Sequence, residues 1–160
     1  MSQNGLSDLA RTVIDANRYM ALGTADETGH PWVSPVWFAS EDYRQFHWVS
    51  SPDARHSQNL SARPEVAIAI YDSSGAPGTV EAVYMSGRVE ELTGDELERG
   101  IELFDRVSQK DIARRWGLSD VQPPSLFRLY RAIAVEHFVL IRGRDPKRGT
   151  GVDRREHVAL

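Results

Sequence analysis

The sequence predicts a mainly β fold of the α+β class, in which six antiparallel strands form a barrel with flanking helices. Three observations predict it. Short runs rich in β-branched and aromatic residues alternate with turn residues, helical periodicity is confined to a few segments, and no internal repeat is present. The 160 residues, with 41% hydrophobic and 26% charged side chains, have the size and composition of a single domain over residues 1–160.

A helix is predicted first, over about residues 5–17. Its apolar side chains recur at helical spacing, and Ser7 with Asp8 offers an N-terminal cap. One face of this helix is therefore expected to pack across the domain. The apolar residues are Leu6, Leu9, Ala10, Val13 and Ile14.

Three short strands follow this helix. The β-rich runs YMALGTA, WVSPVWFA and FHWVS are separated by DETGHP and SEDYRQ, which are typical turn sequences. Because each connection is short, consecutive strands are expected to pair antiparallel as a meander. A helix is then predicted through DARHSQNLSAR, and Pro64 ends it.

The second half of the chain predicts further strands and two more helices. VAIAIYD predicts a fourth strand, and TVEAVYMSGRVEEL predicts a long fifth strand with a bulge at Gly87. Thr93 and Glu96 have capping-box spacing at the start of a helix, and a shorter helix is expected through DIARRWG. LFRLYRAIAVEHFVLIRG predicts a last long strand or a pair of strands. The charged tail, about residues 142–160, is interpreted as a solvated end.

The predicted strands are apolar on both faces. In WVSPVWFA, Val36 and Phe38 point one way while Val33 and Trp37 point the other way. An isolated antiparallel sheet normally exposes one polar face to water. Either the chain's own helices cover the outer wall of the barrel, or a second copy of the chain covers it. The second explanation is favoured, because only a few modest helices are available and symmetric dimers are the commonest soluble assembly.

Composition and motifs exclude several kinds of site and partner. The chain has no cysteine, so thiolate metal sites are excluded and any redox chemistry must come from a bound cofactor. The five histidines show no metal-ligand spacing, and no G-x-S-x-G elbow or P-loop is present. A net charge of -4 argues against nucleic acid as a partner. Without a signal peptide or roughly 20 consecutive apolar residues, the protein is expected to be cytoplasmic and not inserted in a membrane.

The join between the third strand and the next helix carries an unusual set of polar residues. In WVSSPDARHSQNL, Ser50 ends the strand, Ser51 is a favoured N-cap residue and Pro52 suits the first helical position. A helix N-terminus has free N–H donors and a partial positive charge, to which Arg55 and His56 can add hydrogen bonds. The join can therefore hold a phosphate. The same residues would also cap any helix, with Arg55 and His56 facing solvent, and their spacing leaves both interpretations open.

The segment from GHPWVSPVWF to VAIAIYD resembles the pyridoxamine 5'-phosphate oxidase-like FMN-binding split-barrel family. The shared features are a P-x-x-S-P-V-W-F strand, a strand that ends in Ser or Thr, a helix start like R-K-x-x-N-L, and P-x-V-A-I-x-I. They occur in the family's order over residues 18–94 of the chain. The resemblance implies a six-stranded antiparallel split β-barrel that forms a homodimer, with its cofactor sites at the subunit interface.

The same resemblance implies a set of FMN-binding residues. In that family a basic pair at the helix start grips the flavin phosphate, and His56 stands where Lys is usual, so that its charge depends on pH. For Trp37 and Trp116, packing within one chain is the alternative. The implied contacts are the backbone of Pro35, Val36 and Trp37 along the isoalloxazine ring, Ser50, Ser51, Arg55, His56 and Ser57 at the phosphate end, and Trp116 from the second copy.

The implied function is that of an FMN-dependent oxidoreductase acting on an unidentified small molecule. The true pyridoxamine phosphate oxidases carry a C-terminal signature that VEHFVLIRGRDPKRGTGVDRREH does not reproduce, so vitamin B6 oxidation is not expected. Because the flavin itself supplies hydride or electron transfer, no catalytic residue is assigned. The alternatives are a reductase that uses a deazaflavin coenzyme and a non-catalytic barrel that binds or senses flavin.

Overall fold

The computed structural model describes residues 3–160, which form one antiparallel sheet and four helices. This confirms the mainly β prediction with flanking helices. The helices are α1 (Gln3–Ala16), α2 (Arg55–Ala62), α3 (Gly94–Ser108) and α4 (Leu118–Val121). The strands are β1 (Tyr19–Ala25), β2 (Pro31–Trp37), β3 (Gln45–Ser50), β4 (Glu65–Tyr71), β5 (Ala82–Glu91), β6 (Arg128–Ile141) and β7 (Arg154–Val158).

The sheet is not closed into a full barrel. Its strand order is β2-β1-β4-β5-β6-β3, and β7 pairs with β6 outside this path. The chain just beyond the end of β2 meets β3 through an isolated bridge, in which Ala39 and His47 exchange two backbone hydrogen bonds of 2.9 and 2.8 Å. One bridge instead of a ladder leaves most of the outward edge of β2 without a neighbouring strand.

The C-terminal tail adds a seventh strand, so its interpretation as a solvated end is wrong for β7. This strand pairs with the second half of β6, from His137↔Val158 to Ile141↔Arg154. The first half of β6 pairs with β3 instead, which is why 14 residues are needed in that strand. Val158 is only 1% exposed, because the short strand turns this side chain into the main core. A single apolar residue in a charged segment gave too weak a signal to predict it.

Residues 111–117 are not helical, so the helix predicted through DIARRWG is wrong. The Asp105 carboxylate accepts hydrogen bonds from the Trp116 backbone N–H, at 2.8 Å, and from the Arg115 guanidinium. These bonds fold the segment back against α3 and compete with helical bonding. The next helix, α4, begins only at Leu118.

The remaining helices and the bulge were predicted more closely. Helix α1 ends within one residue of its expected end, although Ser7 lies inside it and donates to the Ala159 carbonyl instead of capping it. Helix α3 begins after Thr93 as expected, but the capping box is not formed, because Thr93 makes no side-chain cap hydrogen bond and Glu96 pairs with Arg99 and Arg131 instead. The pairing of β5 with β6 shifts register between Ser86 and Gly87, which confirms the bulge.

The core consists of two parts. The larger part fills the inside of the sheet and is closed by α1, with Phe46 and Trp48 fully buried. The smaller part lies between α3 and the outer side of β3, around Phe104 and Leu129. By contrast, Tyr19, Val33 and Tyr71 remain 63, 65 and 49% exposed on β1, β2 and β4.

Candidate functional site

The join between β3 and α2 differs in detail from its prediction. Ser50 ends β3 as expected, but a turn intervenes and α2 begins at Arg55 with Ala54 as its N-cap residue. Ser51 and Pro52 are therefore not the cap and the first helical residue. The Ser51 hydroxyl accepts a hydrogen bond from the Asp53 N–H at 3.1 Å, and the Ser51 carbonyl accepts one from the Ala54 N–H at 3.1 Å. Serine stabilises the turn here rather than the helix.

The start of α2 is open to an external acceptor. Ala54 makes no side-chain cap hydrogen bond, and the first turn contains no acidic residue. The first N–H groups of a helix have no intrahelical partner, and together they carry a partial positive charge. An anion would satisfy both features.

Arg55 provides a cation at this helix start. Its guanidinium carbon lies 4.4 Å from the centre of the Trp32 ring, and the residue is exposed. No carboxylate among the described residues forms an ion pair with it within 4 Å. The contact with Trp32 positions the Arg55 side chain at the start of the helix, and the guanidinium charge remains free to bind an anion.

His56 is held between two strands and does not face open solvent. Its Nε2 lies 2.8 Å from the Ser50 hydroxyl at the end of β3, and its Nδ1 lies 3.2 Å from the Ser34 hydroxyl in β2. Burial lowers the pKa of His56 below its ordinary value. The imidazole is therefore neutral at pH 7, and the positive charge here comes from Arg55 and the helix dipole.

Ser34 and Trp32 complete this arrangement, and the sequence reasoning missed both. The Trp32 indole N–H donates to the Ser34 hydroxyl at 3.0 Å. The two residues alternate along β2 and therefore share a face of the strand, towards which α2 presents Arg55 and His56. That alternation is visible in the sequence and could have identified them.

The backbone of β2 is accessible, although some of its side chains are not. Pro35 is exposed, Val36 is 8% exposed, and the Trp37 ring packs edge-on against Phe104 with their centres 5.3 Å apart. Since β2 is an edge strand paired only with β1, half of its N–H and C=O groups point away from the ladder. A flat ligand could use those groups, whereas Trp37 itself belongs to the smaller core.

Ser57 and Trp116 lie apart from this opening. Ser57 lies on the buried face of α2, beside Tyr130. Trp116 packs in its own chain against Phe104, with their ring centres 5.4 Å apart, and it lies 6.4 Å from Trp37. Within one chain Trp116 is thus a core anchor at the end of α3.

A cavity of about 660 Å³ lies on the other side of α2, and its charge does not suit an anion. It is lined by Glu27, Glu90 and Glu91 and contains neither Arg55 nor His56. Glu90 and Glu91 are paired with Arg131 and Arg128, and the lining contains no cationic side chain to bind a phosphate. The anion site suggested by the helix start is therefore on the β2 side.

Other kinds of site are not found within residues 3–160. No group of three His, Asp or Glu side chains there is arranged to hold a metal ion. None of the helices in this range has the length and apolar character needed to cross a bilayer.

The donor set at the start of α2 fits a terminal phosphate. Open helix N–H groups, one unpaired guanidinium and serine hydroxyls are the groups that bind phosphate in proteins. The free edge of β2 continues from these donors and offers backbone groups to a planar ring. Redox chemistry at this site would have to come from a bound cofactor, because the chain has no cysteine.

Several solved protein structures share the fold of this chain. Over 93% of this chain, the structure of a heme binding protein from Mycobacterium smegmatis superposes with a TM-score of 0.67 and 21% identity. The chain spans only 56% of that protein's length. HutZ, a heme storage protein from Vibrio cholerae, matches 85% of this chain and 92% of its own, with a TM-score of 0.63 and 21% identity. An F420 reductase matches 74% of this chain and 87% of its own, with a TM-score of 0.54 and 16% identity.

Identities this low show a shared fold and leave the ligand undecided. No curated protein matches the sequence significantly. The family comparison is more informative, because the model for pyridoxamine 5'-phosphate oxidase matches residues 6–129, which include most of α1 and all of β2, the β3–α2 join and β5. The chain belongs to the pyridoxamine 5'-phosphate oxidase family.

Proposed function

We propose that this protein binds FMN and acts as a flavin-dependent oxidoreductase on a small molecule. The observation that carries the proposal is the open start of α2, where no carboxylate among the described residues pairs with Arg55 and no side chain there caps the helix. The family match supports a flavin as the occupant. The phosphate would lie at the first turn of α2, and the ring would lie along the free edge of β2.

The residues have separate tasks in this proposal. Arg55 and the helix N–H groups bind the phosphate oxygens, and Ser50 and Ser51 lie beside the same end. Backbone groups of Pro35, Val36 and Trp37 orient the ring. When bound, the flavin supplies the electron or hydride transfer, and the protein supplies position and exclusion of water.

A deazaflavin coenzyme is the second candidate, because an F420 reductase shares the fold. A phosphate site would serve that coenzyme in the same way, so the geometry at α2 does not separate the two. The ring chemistry does separate them, since the two chromophores absorb differently.

The test is a titration of the purified protein with FMN, riboflavin and the deazaflavin coenzyme, followed by absorbance and fluorescence. We expect FMN to bind more tightly than riboflavin, because only FMN carries the phosphate. Oxidation of reduced nicotinamide by the loaded protein then separates an enzyme from a flavin-binding protein without turnover. Equal affinity for FMN and riboflavin would contradict phosphate recognition at α2.

A further inference from the structure

We propose that His56 couples anion binding at α2 to the uptake of one proton, because protonation of the ring frees the one serine hydroxyl that donates to the neutral imidazole. This inference deepens the proposed function and rests on it. The observation behind it is the chain of hydrogen bonds that runs from Trp32 through Ser34 and His56 to Ser50.

When the imidazole of His56 is neutral, one of its two serine partners must donate its hydroxyl hydrogen to the ring. A neutral histidine has one N–H donor and one acceptor nitrogen, so one of its two serine partners must donate to it. The Trp32 indole can only donate, so the Ser34 oxygen always accepts from it. In this state only one of the two serine hydroxyl hydrogens is free to point elsewhere.

Protonation of His56 releases that hydroxyl. Both ring nitrogens then donate, and Ser34 and Ser50 both accept. Ser34 can accept from Trp32 and from Nδ1 together, because a hydroxyl oxygen has two lone pairs. Both hydroxyl hydrogens are then free, and the site gains one positive charge and one further donor for an anion.

Among the described residues of the free protein, no group raises the pKa of His56. Burial lowers that pKa. The adjacent Arg55 and the start of α2 are themselves positive, which also opposes a cation. Of the strands packed against α2, β1 and β2 carry no charged residue, and β5 presents Glu90 and Glu91 to the cavity on the far side. The nearby charged groups of other elements are Asp53 in the preceding turn and Arg128, which lies opposite Ser50 and forms an ion pair with Glu91.

A bound anion favours the charged form of His56 over the neutral form. Its charge favours the imidazolium, so anion binding raises the pKa of His56 and a proton is taken up. Linkage requires the reverse effect to be equal, so anion affinity rises as the pH falls from the pKa of the bound state to that of the free state. The affinity gains about tenfold for each unit by which the anion raises the pKa.

The experiment uses sulfate, because its charge is constant across the range in which histidine titrates. The histidine ring signals of the protein are followed by NMR from about pH 5 to about pH 8, with and without saturating sulfate. The His56→Gln variant assigns the His56 signal. We expect sulfate to raise the pKa of His56, and we expect sulfate affinity in the wild type to rise at low pH by the matching factor.

Controls separate this inference from the proposed function. His56→Gln should bind sulfate with little dependence on pH, whereas His30→Gln, a change in an exposed turn, should retain the wild-type dependence. If His56→Gln is poorly folded, the wild-type NMR titration alone decides the matter. An unchanged pKa of His56 under saturating sulfate would overturn the inference. If FMN still binds more tightly than riboflavin in that case, the proposed function stands while the coupling fails.

Discussion

At the scale of single residues, Arg55 contributes a full positive charge to the proposed anion site, beside the partial charge of the helix start. Replacing it with Ala should weaken FMN binding by about 1.5 to 3 kcal/mol, the range for a hydrogen bond to a charged group. Riboflavin binding should change little, because riboflavin has no phosphate. Isothermal titration with both ligands measures the difference.

Two further variants make the Arg55 experiment specific. Arg55→Lys retains a charge but loses the flat contact over Trp32, so it should fall between the wild type and Arg55→Ala. Arg99→Ala removes an exposed arginine that is paired with Glu96 on α3, and it should leave FMN affinity unchanged. If Arg55→Ala weakens FMN and riboflavin binding equally, the guanidinium does not contact the phosphate.

His47 is a second residue with a measurable effect, on stability rather than on binding. It is 2% exposed and its Nδ1 has no hydrogen-bond partner, while burial, and next the charge of Arg131, lower its pKa from 6.5 to about 4. Between these values the unfolded chain binds the proton and the folded chain does not. Folding stability is therefore retained above pH 6.5 and is lost as the pH falls towards 4.

The His47 contribution amounts to at most about 3 kcal/mol, at 1.36 kcal/mol for each pKa unit. In His47→Gln, denaturant unfolding should show a smaller loss of stability across this range. His157→Gln is a matched control, because His157 is exposed on β7. A slope unchanged by His47→Gln would show that other groups cause the acid sensitivity.

The sequence predicted site residues unevenly, for physical reasons. Arg55 was predicted to lie at a helix start, where the structure places it, because its position relative to Pro52 and the helical run is local in the sequence. The burial of His56, which lowers its pKa, was not predicted, because it depends on packing against β2, whose Ser34 lies 22 positions earlier in the chain. Hydrogen bonds between distant segments leave no local pattern in a sequence.

At the scale of the elements, the bulge in β5 depends on Gly87. A methyl group there would lie 2.6 Å from the Ile133 carbonyl oxygen, which belongs to the backbone of β6 and cannot move aside easily. Gly87→Ala should therefore destabilise the protein by about 1 to 3 kcal/mol, the usual cost of overpacking. Denaturant or thermal unfolding would measure the change.

Gly75→Ala is the comparison for this variant. At Gly75 the new methyl group would meet only the side chain of Thr79, at 3.1 Å in an exposed loop. The change in stability should stay within about 0.5 kcal/mol, as is usual for surface positions. If both variants unfold at the same denaturant concentration, the close approach of β5 and β6 does not constrain residue 87.

The elements themselves were largely predictable, whereas their ends were not. The strands have a period of two residues, and the amphipathic helices α1 and α3 repeat apolar residues at helical spacing. Such long periodic patterns predict secondary structure well. The start of α2 was misplaced, because Ser51 and Pro52 favour a turn as readily as a helix start. The short strand β7 was missed because its order comes from pairing with β6.

At the scale of the whole molecule, one large sheet face remains uncovered. On its outer side Ala21 lies opposite Ala69, and Gly23 lies opposite Ala67. These small side chains make the middle of the face flat, and the exposed Tyr19, Val33 and Tyr71 surround it. Apolar side chains on a sheet face normally pack against another layer. The occupant we propose is a second copy of the chain, because a flat, self-complementary patch suits a two-fold axis.

This proposal predicts that Ala67→Glu gives a monomer in sedimentation, because the glutamates of two copies would be brought together in an apolar contact. FMN affinity should fall in the same variant, since the open edge of β2 adjoins this face and a shared site needs both copies. Ala113→Glu adds the same charge at an exposed alanine between α3 and α4, and it should change neither the mass nor the affinity. A wild-type monomer with full FMN affinity would exclude a shared site. A dimer that persists in Ala67→Glu would place the second copy on another surface.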